Sequence, residues 1–559
     1  MCVHRLAVAG FLLAVGPAAA SPLAPVPTSY VDAWFEHPPA PAEGPLHLAD
    51  QPLIRLTEPT YADGFNAPTR SARPSPRSVF NEIDQPDAAR TDVTPMTNLG
   101  VVMMQLFVSH EIARSPTLPG PANAFDLPVP PDDPIAVQRD EEFLMPMQRS
   151  AAVGGTGPGD PRQQLNSETP AFDASIVYGS TPERTELLRR NDGSGELRTG
   201  PGNKLPLLID GRPTAGDGRA DENKLLEAAH TLFMRQHNRL AGQVRDACTA
   251  AGKTCDGDDV FGMSRRLLTA QTQKIAYEEL LPAFLGTDDL TSLLPADLPP
   301  ARRVEKITGA INEATTAGLR VGHSQVPNTI VTIDDAGART EVDLASCFFS
   351  DCLAGASLAD ILRGAAHQPG NPVDASFATA LRQSQLPGPF FTFVVDLPGT
   401  TTHRADDHGL GDFAALRAVL GLPDVPLEDL LPKSILDAYR DADGNLSGEI
   451  PIFPAIIGEE PVAGAQVGAT AAVLHALQFA ALRHHDPNFY DKPGVFDDEM
   501  LAWIYGTSLR QLIIDNTSIE PDMLPADVYI TPIPGALPLA ATAFGALFWL
   551  NRRRGRGRG

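Results

Sequence analysis

Six stretches of the chain repeat apolar residues with the spacing of an α-helix, and this pattern constrains the fold more than any other feature. The stretches are 98–114, 223–247, 261–285, 301–317, 465–483 and 497–514. Apolar residues three and four positions apart form one helix face that packs on a core. Strand-like signals are limited to residues 329–333, 341–344 and 391–395. The sequence therefore predicts a mainly α fold with few short strands, and its hydrophobic content of 43% supports a large core.

Proline marks the parts of the chain that we expect to be irregular. The chain has 53 prolines, which are concentrated in residues 22–80 and 115–170. Because proline lacks an amide hydrogen, both stretches should lack long regular elements. Residues 440–449 begin like a calcium-binding loop but lack its later acidic ligands, so a turn is predicted there.

Both ends of the chain carry features of export and attachment signals. A basic start, an apolar run over residues 6–15 and the small residues Ala18-Ala-Ala20 predict a secretory signal over residues 1–20. The alternative is a buried N-terminal helix. The apolar run 536–550, followed by an arginine-rich tail, is typical of a membrane anchor with its tail inside. Its proline motif, single span and arginine tail are also similar to the bacterial Pro-Glu-Pro sorting signal, with Ile533 in place of the glutamate.

The net charge and the cysteine content indicate which partners and which cross-links to expect. The formal net charge of −25 argues against a nucleic-acid partner. Of the five cysteines, Cys2 lies in the predicted signal, and the others form the close pairs Cys248/Cys255 and Cys347/Cys352. An even number of cysteines in an exported chain predicts two small disulfide loops. Free buried thiols are the alternative.

One loop presents oxygen atoms at a regular spacing. Thr169, Asp173 and Ser175 carry oxygen-bearing side chains, and Ala171 between them offers a backbone carbonyl. Ca²⁺ binds such mixtures of carboxylate, hydroxyl and carbonyl oxygens. Alternate residues of an extended loop point the same way, so these groups could surround one ion. The same residue types are common in turns, and the spacing alone leaves both interpretations open.

A series of motifs follows one order along the chain. It comprises Tyr61-Ala-Asp-Gly, Pro74-Ser-Pro-Arg-Ser-Val-Phe-Asn81, His110, the loop Thr169–Ser180, Arg219-Ala-Asp-Glu222, the segment 230–241, Leu319-Arg-Val-Gly-His323, Asp396-Leu-Pro, Arg404, Asp407-His-Gly-Leu410 and the segment 509–518. This series resembles the animal haem peroxidase superfamily over roughly residues 50 to 525. The resemblance implies a helical haem peroxidase domain at residues 51–525, between a proline-rich segment at 21–50 and a C-terminal region at 526–559.

The resemblance implies a haem b site with one histidine on each side of the iron. His110 corresponds to the distal acid–base residue, and Arg219 beside it would stabilise developing negative charge. His323 corresponds to the proximal iron ligand. Arg320 and Arg404 correspond to arginines that meet the haem propionates, for which bidentate pairing suits a guanidinium.

The resemblance also implies a calcium site that ties the loop to the distal histidine. Its ligands would be Glu111, Thr169, the Ala171 carbonyl, Asp173 and Ser175. Relatives carry an aspartate immediately after the distal histidine, where this chain has Glu111. Glutamate keeps the charge on a longer arm, so we expect a calcium site with altered geometry.

Four positions bear on covalent haem attachment, halide use and the proximal ligand. Glu222 matches a glutamate that forms an ester with haem in some members, whereas Ser109 replaces a second, ester-forming aspartate. At most one ester is therefore expected. Leu106 stands where relatives have a halide-assisting glutamine, with Gln105 one place away, which disfavours halide oxidation. Thr401 replaces the asparagine that holds the proximal histidine in place in relatives. A weaker contact to that histidine would shift the redox behaviour of the iron.

These expectations describe an exported, haem-dependent peroxidase that takes part in the response to oxidative stress. It would reduce H₂O₂ and oxidise a small organic donor, with a secreted, cell-surface or envelope location. One alternative is a fatty-acid dioxygenase-like enzyme, but that branch carries a tyrosine three residues before the proximal histidine, where this chain has Arg320. A second alternative is a non-catalytic surface or matrix protein, which the retention of His110, Arg219 and His323 disfavours.

Overall fold

The computed structural model describes most of the chain between the two terminal signals. The described residues are 23–39, 44–68, 74–84, 93–133, 136, 144–383, 385–387, 392–441, 443–446 and 449–531. The predicted secretory signal and the C-terminal apolar span lie outside them. Among the described residues, no helix is both long enough and apolar enough to cross a membrane.

Helices dominate, which confirms the predicted fold class. The α-helices are Thr28–Glu36, Pro76–Ile83, Asn98–Met103, Ser175–Tyr178, Pro182–Leu188, Lys224–Ala250, Gly257–Ile275, Leu281–Leu285, Asn312–Thr316, Gly322–Gln325, Leu358–His367, Thr379–Arg382, Leu397–Asp407, Phe413–Val419, Lys433–Ala438, Ile452–Gly458, Ala469–His485, Asp498–Tyr505 and Leu509–Asn516. Two π-helical segments, Met104–His110 and Ala276–Leu280, continue α-helices that precede them. We call the combined segment 98–110 the distal helix.

The strands are short and form separate two-stranded antiparallel pairs. They join Gln51–Pro52 to Leu165–Asn166, Leu127–Pro128 to Leu144–Met145, Leu207–Ile209 to Arg212–Pro213, Thr329–Ile333 to Arg339–Asp343, and Gln385–Pro387 to Thr392–Val394. The strand prediction at 329–333 is confirmed, and the other two are placed within two residues. The described part of residues 115–170 contains no long regular element, as their proline content predicted.

The two longest helices form the frame of the structure. Lys224–Ala250 begins at Asn223, whose side chain accepts hydrogen bonds from the backbone amides of Leu225 and Leu226. It packs along Gly257–Ile275, and the disulfide Cys248–Cys255 closes the loop between them. The second predicted disulfide, Cys347–Cys352, is also formed, so both cysteine predictions are confirmed.

The helix predicted at residues 301–317 is wrong. This stretch holds two 3₁₀ turns, Pro300–Arg302 and Val304–Lys306, and the short helix Asn312–Thr316. The backbone of Ile311 pairs with that of Ile54 instead of continuing a helix. The buried Glu313 carboxylate accepts hydrogen bonds from the amides of Leu56 and Thr57. Groups in this stretch are therefore hydrogen-bonded to a segment distant in sequence, and not to one another as in a helix.

The helix predicted at residues 497–514 is divided in two. Asp498–Tyr505 ends at Gly506, and Ser508 caps a new helix, Leu509–Asn516, by accepting from the Gln511 amide. The predicted helices at 223–247, 261–285 and 465–483 are confirmed with small shifts of their ends. The described residues between 440 and 446 form the predicted turn, in which Asp441 accepts from the amides of Asp443 and Asn445.

A buried network of ion pairs joins the segment 74–81 to the helix Leu397–Asp407. Arg77 contacts Asp133 at 2.7 Å and Asp396 at 3.0 Å, and Arg382 contacts Asp396 at 2.8 Å. Asp396 also caps the helix Leu397–Asp407 by accepting from the Gly399 amide. Because buried charges destabilise a fold when unpaired, this network holds that helix in one position.

Candidate active site

One cavity of about 440 Å³ lies between the distal helix and the short helices that follow residue 311. Its lining includes every residue assigned above to the haem site, namely His110, Arg219, Glu222, Arg320, His323 and Arg404. Residues more than 200 positions apart in sequence thus meet at one site. Their individual roles stay predictions.

His110 is held by a carboxylate that sequence analysis did not select. Its Nδ1 lies 2.9 Å from Oδ2 of Asp217, at an angle that departs from a straight hydrogen bond. Asp217 also accepts from the Nε of Arg219, at 2.9 and 3.1 Å for its two oxygens. Burial and then the charge of Arg219 lower the pKa of His110 to about 3. The imidazole is therefore neutral at pH 7, and the carboxylate favours the tautomer whose proton is on Nδ1.

A glycine allows Asp217 to reach this position. A Cβ at Gly216 would lie 2.1 Å from the carbonyl oxygen of Ser175 and 2.4 Å from the amide nitrogen of Gly179. No other residue fits that approach without moving the backbone. The Gly216-Asp217 pair directly before the Arg219 motif was the available sequence signal for this missed residue.

The π-helical segment changes which residue of the distal helix faces the cavity. In a π-turn, residue i lies beside residue i+5, so Gln105 lies beside His110. Its Nε2 is 3.5 Å from the Nε2 of His110 and donates to Glu222 at 3.2 Å. Leu106 is fully buried and does not line the cavity. The sequence interpretation of Gln105 as out of place is wrong, because it assumed an α-helix, and the argument against halide oxidation loses that support.

Glu222 and Ser109 both line the cavity, and each is hydrogen-bonded to another polar side chain of its wall. Burial raises the pKa of Glu222 to about 7, although nearby Arg219 opposes the shift. The Ser109 hydroxyl accepts a hydrogen bond from Nη1 of Arg320 at 3.2 Å. Arg320 thereby connects the short helix that carries it to the distal helix.

His323 is half-buried, and its ring has no bracing partner in the described part of the chain. Its Nδ1 makes no hydrogen bond there, and Thr401, which also lines the cavity, does not bond to it. Burial, followed by Arg320 and His110, lowers the pKa of His323 to about 3. A neutral imidazole is the form that binds a metal.

The two arginines predicted for the propionates differ in their partners. Arg404 pairs with Asp407 at 3.0 Å and donates to the carbonyl of Gln148. Arg320 donates to the Thr315 carbonyl and, within the described residues, forms no salt bridge with a carboxylate. Arg320 is thus a half-buried cation on the cavity wall that a bound anion would neutralise.

The lining as a whole fits a flat, mostly apolar cofactor with acidic groups. Its apolar members are Val101, Met104, Val108, Met147, Leu319, Val321, Val326, Leu344, Phe348, Leu381 and Leu397. A neutral histidine without a partner and an arginine without a carboxylate lie among them. These features match the iron and a propionate of haem.

The residues of the predicted calcium loop also come together. The Thr169 hydroxyl donates to Asp173 at 3.1 Å, and the Ser175 hydroxyl donates to the backbone carbonyl of Glu111 at 2.9 Å. The Glu111 carboxylate accepts from the amides of Ser175 and Ile176, both at 3.1 Å. The loop is therefore attached to the distal helix one residue after His110.

Two carboxylates of like charge, the buried Glu111 and the half-buried Asp173, influence each other in this region. Burial raises the pKa of Asp173 to about 6. Burial and then the charge of Asp173 raise the pKa of Glu111 well above its usual value. A bound cation would relieve both effects. Among the described residues, no three His, Cys, Asp or Glu side chains are placed so that they could hold a metal ion, so hydroxyl and carbonyl oxygens would have to complete the set.

Most of the chain is similar in sequence to proteins of one known family. The profile of the animal haem peroxidase family matches residues 31–529. Lactoperoxidase of Mesocricetus auratus is 26% identical, with 85% of this chain and 74% of the relative covered. Eosinophil peroxidase of Homo sapiens is 28% identical over 87% of this chain and 75% of the relative. The peroxidasin homolog of Homo sapiens is 28% identical over 84% of this chain, which spans only 35% of that longer relative.

Solved structures show the same fold at lower identity. Peroxidase A from Dictyostelium discoideum superposes with a TM-score of 0.72 at 23% identity, covering 87% of this chain and 96% of that one. A fatty acid alpha-dioxygenase from Arabidopsis thaliana gives a TM-score of 0.71 at 15% identity, covering 88% and 82%. At identities this low, the structural similarity shows the fold alone. Statements about chemistry must come from the residues of the site.

Proposed function

The chain belongs to the animal haem peroxidase family, and on that basis we propose that it is a haem-dependent peroxidase that reduces H₂O₂ and oxidises small organic donors. The observation that carries the proposal is the cavity itself. It holds a neutral His110 fixed by Asp217 together with a neutral, unbraced His323.

The residues that would hold haem are His323, Arg320 and Arg404. His323 offers a neutral nitrogen to the iron, and Arg320 offers an uncompensated cation to a propionate. Arg404 is already paired with Asp407, so its contribution would be a shared contact. When bound, haem supplies the iron at which peroxide is reduced and the oxidising equivalents that the donor consumes.

His110 would move the proton that peroxide reduction requires. With Nδ1 directed at Asp217, the Nε2 lone pair is free to take a proton from one peroxide oxygen and return it to the departing oxygen. Gln105, 3.5 Å from that nitrogen, would orient the peroxide or a water. Arg219 keeps a positive charge at the cavity wall, which stabilises negative charge on the departing oxygen.

We further propose one ester link to haem, through Glu222. Glu222 lines the cavity and accepts a hydrogen bond from Gln105, which fixes its carboxyl group. Ser109 has no carboxyl group and is bonded to Arg320, so it cannot supply a second ester.

We also propose that Ca²⁺ binds between the distal helix and the loop, with Glu111, Thr169, the Ala171 carbonyl, Asp173 and Ser175 as ligands. The raised pKa values of Glu111 and Asp173 support a missing cation. Calcium would then hold His110 in place through the adjacent Glu111.

Two disulfides and the N-terminal signal sequence support export to an oxidising compartment. The protein would therefore act outside the cytoplasm, in the envelope, at the cell surface or after secretion. Attachment through the C-terminal apolar span is a separate proposal that rests on the sequence alone.

The dioxygenase alternative lacks its key residue. All eight tyrosines of the chain lie in the described residues, and none of them lines the cavity. An enzyme that attacks a fatty acid with a tyrosyl radical needs such a tyrosine beside its substrate. The constellation around His110 likewise disfavours a non-catalytic scaffold.

An absorbance spectrum of the purified protein, with and without H₂O₂, tests the proposed function. We expect a Soret band that changes on addition of peroxide and returns when a small phenol is added. A protein that binds no haem, or whose haem spectrum ignores peroxide, would contradict the proposal.

A further inference from the structure

We propose that the protein has a second oxidation site at its surface, on Tyr505, which a row of aromatic rings connects to the distal helix. The inference rests on the proposed peroxidase function, which supplies the oxidant. It adds a class of donor, namely phenolic groups on macromolecules that cannot enter a cavity of about 440 Å³.

The row begins at Phe107, on the distal helix three residues before His110. The distances between neighbouring ring centroids are 5.7 Å for Phe107–Phe172, 5.8 Å for Phe172–Tyr277, 4.9 Å for Tyr277–Phe489, 5.3 Å for Phe489–Tyr490 and 5.9 Å for Tyr490–Tyr505. Each ring contacts the next at the usual separation of aromatic pairs. No gap interrupts the path from the distal helix to the surface.

Tyr505, the last ring of the row, is the one ring of the row that is exposed to solvent. The five inner rings are between 0% and 3% exposed, whereas Tyr505 is 49% exposed. The other seven tyrosines of the chain are all buried. A macromolecular phenol could therefore reach just one tyrosine, and that tyrosine is the end of the row.

A tyrosine loses an electron more easily when a proton acceptor lies beside its hydroxyl, and Tyr490 has such an acceptor. The Tyr490 hydroxyl donates a hydrogen bond to the Glu278 carboxylate. Burial and that carboxylate raise the pKa of Tyr490, so its proton leaves only together with an electron. The Tyr277 hydroxyl donates to the Phe479 carbonyl at 3.0 Å. The phenylalanines are much harder to oxidise and serve only to shorten the distances between tyrosines.

The electron balance of the proposed step is simple. Peroxide reduced in the cavity withdraws one electron at a time along the row. Tyr277 keeps its hydroxyl proton, which is hydrogen-bonded to the Phe479 carbonyl, whereas Tyr490 passes its proton to Glu278 and regains it when reduced by Tyr505. Tyr505 loses one electron inward and one proton to water, becoming a neutral phenoxyl radical. The external phenol then transfers its O–H hydrogen atom to Tyr505. Two such donors and one H₂O₂ give two donor phenoxyl radicals and two molecules of water.

The position of Tyr505 suits this role. It is the last residue of the helix Asp498–Tyr505, which packs on the long helix Gly257–Ile275. Tyr277 and Glu278 both belong to the π-helical segment Ala276–Leu280 that continues that long helix. The proton acceptor Glu278 and Tyr277 are thus carried by one continuous helical unit, and the helix that ends at Tyr505 packs on it.

The test combines a radical trap with two donors. The haem-loaded protein is treated with H₂O₂ and 2-methyl-2-nitrosopropane, and peptide mass spectrometry locates the adduct. Separately, oxidation rates are compared for a small phenol and for a lysine–tyrosine copolymer, whose dityrosine fluorescence reports the product. The variants are Tyr505→Phe and Tyr490→Phe. The matched control is Tyr529→Phe, because Tyr529 is buried and hydrogen-bonded to Glu279 but stands outside the row.

We expect the wild-type adduct on Tyr505, with a lower yield in Tyr490→Phe and no change in Tyr529→Phe. The ratio of copolymer rate to small-phenol rate should fall by about tenfold or more in Tyr505→Phe. A protein that oxidises the small phenol but never carries the adduct on Tyr505, or whose Tyr505→Phe variant keeps that ratio, overturns the inference. A wild-type protein that oxidises neither donor overturns the proposed function, and the surface site with it.

Discussion

Among single residues, His110 and His323, which both line the cavity, show how surroundings assign different tasks to the same side chain. His110 has its Nδ1 against Asp217, which leaves Nε2 as a base. His323 has an Nδ1 with no partner in the described chain, so nothing there competes for or strengthens its other nitrogen. A hydrogen bond to the far nitrogen of a metal-binding histidine tunes the metal, and within the described residues His323, the proposed proximal ligand, has none.

Replacing His323 by alanine should abolish tight haem binding, since it removes the one proposed protein ligand to the iron. The haem content and Soret band of the purified variant measure this. His475→Ala is a matched control, because His475 is also a histidine on the cavity wall. Normal haem content and spectrum in His323→Ala would disprove the proximal assignment.

His110→Ala should keep haem but react with peroxide more slowly by about 10² or more, the usual loss for an acid–base residue. Asp217→Asn should give a smaller loss, because the imidazole remains but its tautomer is no longer fixed. Stopped-flow absorbance with H₂O₂ measures both rates. If His110→Ala reacts as fast as the wild-type protein, the base is another residue.

Covalent haem should depend on Glu222 alone. After treatment with H₂O₂, mass spectrometry should find free haem or haem joined to the Glu222 peptide, and Glu222→Gln should release all of it. Peroxide turnover is needed to form the ester, so attachment is expected to be partial. Haem on the Ser109 peptide, or covalent haem in Glu222→Gln, would contradict the assignment of the distal motif.

Among structural elements, the distal helix and the loop Thr169–Ser180, the proposed calcium loop, are joined by hydrogen bonds. Glu111 accepts two amide hydrogen bonds from the loop and is adjacent to His110. Metal analysis should find calcium in the wild-type protein, and Asp173→Ala should lose it along with part of its peroxide reactivity. Thr291→Ala, on an exposed 3₁₀ turn outside the site, is a suitable control. Absence of calcium from the wild-type protein would remove the basis of this prediction.

For the whole molecule, Glu222 links the site to stability. Its pKa is raised from 4.5 to about 7 by burial, so the folded haem-free protein binds this proton more tightly than the unfolded chain does. That stabilising effect is complete below pH 4.5 and is lost as the pH rises through 7. Haem-free Glu222→Gln should thus equal the wild type in urea unfolding at pH 4 and exceed it by about 2 to 3 kcal/mol at pH 8. An equal difference at both pH values would exclude Glu222 as the cause.

The sequence was sufficient for the features that depend on local order. Helical spacing identified the long helices near 223–247, 261–285 and 465–483, close cysteine spacing identified both disulfides, and the motif series identified the residues that line the cavity. Such features depend on neighbours within one or two turns, or on residue types that a site requires wherever it lies.

Only the tertiary structure decided which partners those residues meet. The predicted helix at 301–317 gave way because Glu313 and Ile311 bond to a segment some 250 residues earlier, as their contacts with Thr57 and Ile54 show. Gln105 faces the cavity because a π-turn shifts the register of the distal helix, and Asp217 reaches His110 because Gly216 permits a close backbone approach. Each outcome depends on packing between segments distant in sequence, and local spacing carries no information about such contacts.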